Sequence, residues 1–439
     1  MQGERKTLTQ LSVPICLETL FYMLSGMVDT LMLSSVSDQA VGAVGTANTY
    51  ISVFIIMFGV ISSGMVAVMS QNIGAGRPGI AYQARQLGLV FNALTGILMS
   101  VVLAVFSGGI LRAVSIAPAL LESAETYLKI VGGASFLNAL IPIFSSYLRV
   151  FGYTKHSLIG TVVGNVINII LNSVFLFVFH WGVMGVATAT VISKVVNLII
   201  VAAMGAVLIK AKQSPERAQS RRILAQIVKI GFPSAFETAL YNVAMTFIVC
   251  FMNHMDTDGM NVTARSYAMQ IANFSYCVGA ALAQANAIMT GWRIGAKKYE
   301  ECDRGTRKAV IYGLVTATCF SVTFAITGRF IVHIFTNDIQ MIELVVKLLV
   351  VDIFLEFGRV TNLVYGQALK TSGDAIFPVI MGAIFMYLFA VGGTYFLGIH
   401  MGLLAVGAYI AMAGDECARA VGMVLRWKSG KWKSKSLVE

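Results

Sequence analysis

The stretch PICLETLFY at Pro14–Tyr22 returns as PSAFETALY at Pro233–Tyr241, with proline, glutamate, threonine and tyrosine in register at an offset of 219. Three further anchors follow. Ile73-Gly-Ala-Gly-Arg77 returns as Ile294-Gly-Ala-Lys-Lys298 at 221, Leu148 and Gly152 return as Leu369 and Gly373 at 221, and His180-Trp-Gly182 returns as His400-Met-Gly402 at 220. Four anchors at nearly constant spacing mark an internal duplication.

The solvent of the duplicated unit follows from composition. Hydrophobic residues make up 57% and charged residues 12% of the 439 positions, against about 25% charged in a soluble domain. Apolar runs of about 20 residues, the length that crosses a bilayer as a helix, recur throughout. Alternating strand patterns are absent, which argues against a barrel. Twelve spans are expected, at 11–33, 45–70, 85–108, 127–148, 158–179, 184–209, 230–252, 266–290, 309–335, 344–367, 375–398 and 402–425. The fold class is therefore an all-α polytopic membrane protein of two pseudo-symmetric six-helix lobes. Residues 1–209 form the first lobe, 210–229 a polar linker rich in Lys and Arg with Pro215, 230–425 the second lobe and 426–439 a basic tail. The first span is read as retained rather than as a cleaved signal. An even number of spans per half gives the halves the same orientation, with a cavity expected between them.

The net charge of +11 reports topology. Twenty-four basic residues fall on the side that carries both tails and five on the other, with Lys194, Arg359 and Arg419 inside spans. The excess of positive charge places both termini in the cytosol, beside the lipid of a plasma membrane rather than beside nucleic acid. The run Lys428–Lys435 reads as a solvated tail. Six scattered cysteines without a C-x-x-C pair point to neither disulfides nor a metal cage. No phosphate-binding loop is present, so no nucleotide cofactor is expected.

The motifs in order then resemble a family. They are Val28-Asp29-Thr30, Val41-Gly-Ala-Val-Gly45, Ser70-Gln-Asn-Ile-Gly-Ala-Gly-Arg77, Leu148-Arg149-x-x-Gly152, Gly164-Asn165-x-x-Asn168-x-x-x-Asn172 and Gly182-Val-x-Gly185-Val-Ala-Thr-Ala-Thr190-Val-Ile-Ser193. Together they are similar to the multidrug and toxic compound extrusion (MATE) transporters, nearer the DinF-like branch than the NorM-like one. The resemblance covers essentially the whole chain. It implies a two-lobed fold of twelve helices and export of amphipathic, often cationic organic compounds, driven by H+ or Na+ moving inward.

Asp29 is the sharpest candidate for coupling, because a carboxylate inside a span is costly and usually works at a cavity. Its repeat partner is Ile248, so coupling belongs to the first lobe. Asn168 and Asn172 share one helix face at i and i+4, and Thr190 comes from the next span. These four suit a proton on Asp29 held by hydrogen bonds, or a Na+ ringed by oxygens. They match the first-lobe cation network of the family, with one departure: a second family carboxylate falls at Asn172, which does not titrate. A lone carboxylate favours H+ over Na+, because burial penalises its charged form. No other metal site is expected.

Further intramembrane groups complete the candidate set. Glu18 and Glu237, the duplicated pair, suit a cationic substrate, a secondary cation or a hydrogen bond to a neighbouring helix. Glu356 with Arg359, and Asp415 with Arg419, are spaced for ion pairs within their helices, and Lys194 has no partner by spacing. Tyr50 and Tyr267 offer cation–π faces to a drug, and Pro14 suits a hinge or a static kink in span 1. The expected function is a secondary active multidrug exporter without a required protein partner. The rivals are a lipid-linked sugar flippase of the same superfamily, which needs a strongly cationic cavity, an intramembrane enzyme, for which no paired aspartates or metal motif exist, and a non-transporting scaffold.

Overall fold

The computed structural model describes residues 6–35, 37–113, 116–210, 217–255 and 259–438. Arg5 and the central linker residues 211–216, including Lys212 and Pro215, lie outside the described residues. The rest is helical, with no strand among the described residues. The helices are α1 (Leu8–Ser34), α2 (Asp38–Gly74), α3 (Pro78–Val105), α4 (Ser107–Ala113), α5 (Pro118–Tyr127), α6 (Ser135–Val150) and α7 (Thr154–Ser173). They continue with α8 (Gly182–Leu208), α9 (Arg217–Asn253), α10 (Met260–Gly295), α11 (Tyr299–Val332), α12 (Ile339–Ser372), α13 (Ile376–Phe385) and α14 (Leu404–Lys428). Wider π-type turns prolong α5, α7 and α13.

Among the described residues, eight helices are long and apolar enough to cross a membrane, and α5 with α6, taken together as one bent span, make a ninth. The chain is thus a multi-pass membrane protein. Of the twelve expected spans, the three that miss this test are α10, α12 and α14. Charges explain two of them: α12 carries Asp352, Glu356 and Arg359 and α14 carries Asp415, Glu416 and Arg419, and all but the partly exposed Arg359 are buried. Instead, α10 is lowered by uncharged polar residues such as Asn261, Ser275 and Asn286, also buried. A helix whose polar residues face inward reads as less apolar than its surface is.

Two expectations change in detail. Span 127–148 is broken, with a 40° bend between Gly132 and Ser135. Adjacent glycines and a π-type turn are ordinary causes of such a kink, and the Phe136 amide donates to Ser100 Oγ at 2.9 Å. Residues 217–229, read as linker, are the first turns of α9. Ile223, Ile227 and Ile230 are fully buried at helical spacing, and this apolar stripe outweighs the basic residues around it.

The contacts divide the chain into two compact units. The first holds Leu17–Ile73 and Arg77–Gly231, and the second holds Thr7–Cys16, Gly74–Gly76 and everything from Phe232 onward. In the first, α7 packs on α8, and α6 on α3 and α8. Its core gathers Leu33, Ile51, Leu103, Leu111 and Leu128. In the second, α12 is central and packs against α10, α11 and α14. One of its cores gathers Ile248, Val345, Leu348 and Tyr409.

The duplicated motifs are helix ends. Gly152 and Gly373 take left-handed φ values of 84° and 101° after α6 and α12, the position where glycine carries no Cβ penalty. The basic tail also differs from a purely solvated one. Its lysines are exposed, but Trp432 is 1% exposed and stacks on Trp427 with ring centroids 4.2 Å apart.

Candidate functional site

In the first unit, one face of α7 carries Ser157, Thr161, Asn165, Asn168 and Asn172, spaced by four, four, three and four residues, and α1 lies along it. Ser157 Oγ donates to both oxygens of Glu18 at 3.1 Å, and Thr161 Oγ1 to Oε1 at 3.4 Å. Asn165 Nδ2 donates to the Phe21 carbonyl at 2.8 Å. Asn172 Nδ2 donates to Asp29 Oδ1 at 2.6 Å and to Asn168 Oδ1 at 3.3 Å. The two helices are therefore joined by a polar seam, and Asp29 is its last rung.

The Asp29 rung has an asymmetry. Asn168 and Asn172 are 3% and 0% exposed, whereas Asp29 is half-buried. Asn172 turns its N–H2 toward two oxygens, and its own Oδ1 is buried without a partner among the described residues. Thr190 stands one step away: its hydroxyl donates to Val186 of its own helix at 2.8 Å, and it interacts with the buried Tyr127, which also meets Asn48. Asn172 thus bridges Asp29 and Asn168, and Thr190 borders them.

Sequence reasoning missed two members. Lys194 Nζ donates to Asn138 Oδ1 at 2.9 Å and interacts electrostatically with Asp29. Tyr127 links Thr190 to the same neighbourhood. Lys194 lies four residues beyond Thr190 on α8, so its place on the Thr190 face was readable from helical spacing. The break before α6, which sets Asn138, was not.

Glu18 is 4% exposed and enclosed by Arg149 at 2.8 Å, Ser157 and Thr161. That geometry is the helix-contact alternative. Glu237 pairs with Lys370 and borders a cavity inside the second unit. Glu356 is 0% exposed and pairs with Arg359, with Ser275 Oγ donating at 3.5 Å. Tyr50 packs on the first unit's core, and Tyr267 stacks on Phe335 at 5.3 Å between centroids. Pro14 is buried within α1. Ile248, the counterpart of Asp29, is wholly buried in apolar core.

Known proteins resemble this chain along its length. A family model described as MatE matches residues 14–174 and again 233–396. The chain is 32% identical over 437 residues to the uncharacterized transporter YisQ of Bacillus subtilis (strain 168), covering 98% of this chain and 96% of YisQ. It is 26% identical over 459 residues to a probable multidrug resistance protein NorM of Thermotoga maritima, covering 99% and 94% of the two chains. Its fold matches a solved outward-facing multidrug resistance MATE family transporter of the MOP superfamily, with a TM-score of 0.88 at 18% identity over 97% of this chain and 96% of that one.

Proposed function

The chain belongs to the MatE family, and from that premise we propose that it is a secondary active multidrug exporter coupled to protons through Asp29. The contact of Asp29 with Asn172 carries this reading. A carboxylate at membrane depth is costly and is kept where it works. The multidrug resistance named for the Thermotoga relative supports organic compounds as cargo.

The local chemistry favours H+ over Na+. Asn172 presents a donor to Asp29 and turns its carbonyl away, which suits a hydrogen-bonded carboxylate better than a cage of oxygens. A proton on Asp29 introduces an O–H where Asn172 now offers N–H2, so two donors face each other. Turning the Asn172 amide over relieves that conflict and gives its orphaned Oδ1 a partner. The turn also breaks the contact with Asn168, so proton binding on Asp29 loosens the last rung of the α1–α7 seam. Differential proton affinity between two arrangements of these helices is what alternating access requires. Thr190 and Lys194 border the movement, Pro14 is the proposed hinge, and Glu18 anchors the other end.

We read the chain as a plasma-membrane protein of twelve spans in two six-helix lobes with cytosolic termini, on the placement of its basic residues. The flippase alternative is weakened by the cavity of the second unit, where Arg359, Arg419 and Lys370 each meet a carboxylate and Arg265 alone is left without one, short of the cluster of cations that a pyrophosphate needs. The test is purified protein in liposomes, with efflux of a fluorescent cationic dye followed under an imposed pH or Na+ gradient. Flux driven by the pH gradient and lost in Asp29→Asn is the expected result. Equal flux in both proteins removes Asp29 from coupling, and flux under the Na+ gradient alone overturns the choice of ion.

A further inference from the structure

The second unit encloses a cavity of about 420 Å³, within the range that holds drug-sized ligands. Charged side chains of both signs line it, and most are neutralised. Arg359 meets Glu356 and Glu416, the latter at 3.8 Å, and Arg419 meets Asp415 and Glu416, with Nη2 2.9 Å from Glu416 Oε1. Asn362 Nδ2 donates to the second Glu416 oxygen at 2.9 Å. Lys370 is held by Glu237.

Two lining charges have no oppositely charged group at contact distance. Asp352 is 3% exposed and has no hydrogen bond or ion pair among the described residues; it feels Arg359 electrostatically, but that guanidinium is taken up by Glu356 and Glu416. Arg265 is 8% exposed; its guanidinium meets the Met245 sulfur at 3.7 Å, and its Nε is buried without a partner. The two do not pair with each other. Asp352 and Lys370 lie eighteen residues apart on α12, about 27 Å along its axis, so the unpaired charges occupy the end of the cavity remote from the Lys370–Glu237 pair. Tyr409, 2% exposed, interacts electrostatically with both. The surrounding wall is apolar and adaptable, with Met245, Met386 and Met412.

A buried charge normally has a partner. Here a cation and an anion line one void, neither with an ion pair at contact distance. We propose that this cavity binds an amphoteric organic compound, its anionic group on Arg265 and its cationic group on Asp352, with an apolar body against the methionines and Tyr409. The proposal rests on the reading of the chain as an exporter of organic compounds, and it ranks molecules that carry both signs above singly charged ones as cargo. A compound with one charge leaves the other side chain unpaired in the bound state, which is the usual source of strong discrimination.

The test is binding to the full-length protein in detergent, with no gradient, so coupling plays no part. The probes are Nε-dansyl-lysine, which carries an ammonium and a carboxylate, its methyl ester, which keeps only the cation, and its Nα-acetyl derivative, which keeps only the anion. Dansyl emission reports binding. The zwitterion is expected to bind roughly tenfold or more tighter than either derivative. Arg265→Gln should equalise the zwitterion and the methyl ester, Asp352→Asn should equalise the zwitterion and the acetyl derivative, and Arg265→Lys should keep the preference. Equal binding of all three probes to the unaltered protein overturns the proposal, and this comparison needs no variant to fold. So does an intact preference in Arg265→Gln and Asp352→Asn that remain folded by size exclusion and thermal unfolding. Asp29→Asn should leave the selectivity unchanged, so a failure of the coupling reading and a failure of this one give different results.

Discussion

Arg149 Nη2 lies 2.8 Å from Glu18 Oε1, and the same ion pair is repeated in the second copy as Lys370 with Glu237. Each pair ties the first long helix of its repeat to the C-terminal turn of the helix that ends at Gly152 or Gly373. The duplicated sequence therefore preserves a connection as well as a set of residues. The two copies differ in depth: Glu18 is 5% exposed at its side chain and Glu237 21%. Breaking a buried pair by removing one partner costs about 3–5 kcal/mol, and the cost falls as the remaining partner gains access to water. Glu18→Gln should accordingly lower the thermal unfolding midpoint of the purified protein clearly more than Glu237→Gln. The double variant Glu18→Gln with Arg149→Met should recover part of the loss, since the cation that faced the carboxylate is removed with it. Equal effects at the two glutamates would contradict the depth argument.

The Asp29 rung makes a separable prediction about transport. Asn172→Leu removes the donor to Asp29 while leaving the helix core apolar, and Asn168→Leu removes only the second acceptor. Proton-driven dye flux should fall about tenfold or more in Asn172→Leu and by less in Asn168→Leu, as expected for a hydrogen bond to a charged group against one between neutral groups. Lys194→Met should also reduce flux, because Asn138 and Asp29 lose their shared cationic neighbour. Initial rates in liposomes, at matched protein amounts, decide the order of the three.

The basic tail is expected to stabilise the second unit. Trp432 donates from its indole to the Trp427 carbonyl at 2.9 Å, stacks on the Trp427 ring and meets Tyr299 edge-on at 6.0 Å. Removing so large a buried ring costs about 3–5 kcal/mol. Trp432→Ala should lower the unfolding midpoint accordingly, whereas exchanging the exposed Lys431, Lys433 and Lys435 for glutamine should leave it nearly unchanged.

Much of this arrangement was legible beforehand, for physical reasons that can be named. Apolar run length and internal repetition sufficed for an all-helical membrane chain in two copies, because the bilayer leaves helices few alternatives. The i, i+4 spacing of Asn168 and Asn172 was enough to put both on one face, and Asp29 met them there. Lys194 was noted without a partner although its helical spacing put it on the Thr190 face, and its contact with Asn138, like the approach of Tyr127, depends on how the helices pack, which is a tertiary fact. The start of α9 at Arg217 was obscured by basic residues that overlay its buried isoleucines. Asp352 and Arg265 were equally invisible as unpaired charges: spacing suggests which partners are available, and only the packed structure says which remain unused.

Lys297 supplies a last test, in the loop that repeats Gly76. The two positions are copies at an offset of 221, and both take the left-handed conformation, at φ 74° for Gly76 and 59° for Lys297. The surrounding backbone is copied too: Arg77 N donates to Asn72 O at 2.8 Å, and Lys298 N to Arg293 O at 2.8 Å. The turn that ends α2 is thus rebuilt at the end of α10 with a residue that carries a Cβ. For a non-glycine residue this conformation costs about 1–2 kcal/mol. Lys297→Gly removes that cost, offset in part by the greater freedom of glycine in the unfolded chain. The expected outcome is a net gain of about 0.5–1 kcal/mol, seen as a small rise in the unfolding midpoint. Gly76→Lys, the reverse exchange in the first copy, should lower the midpoint by about the same amount. A fall in Lys297→Gly would mean that the lysine side chain contributes more than its backbone costs.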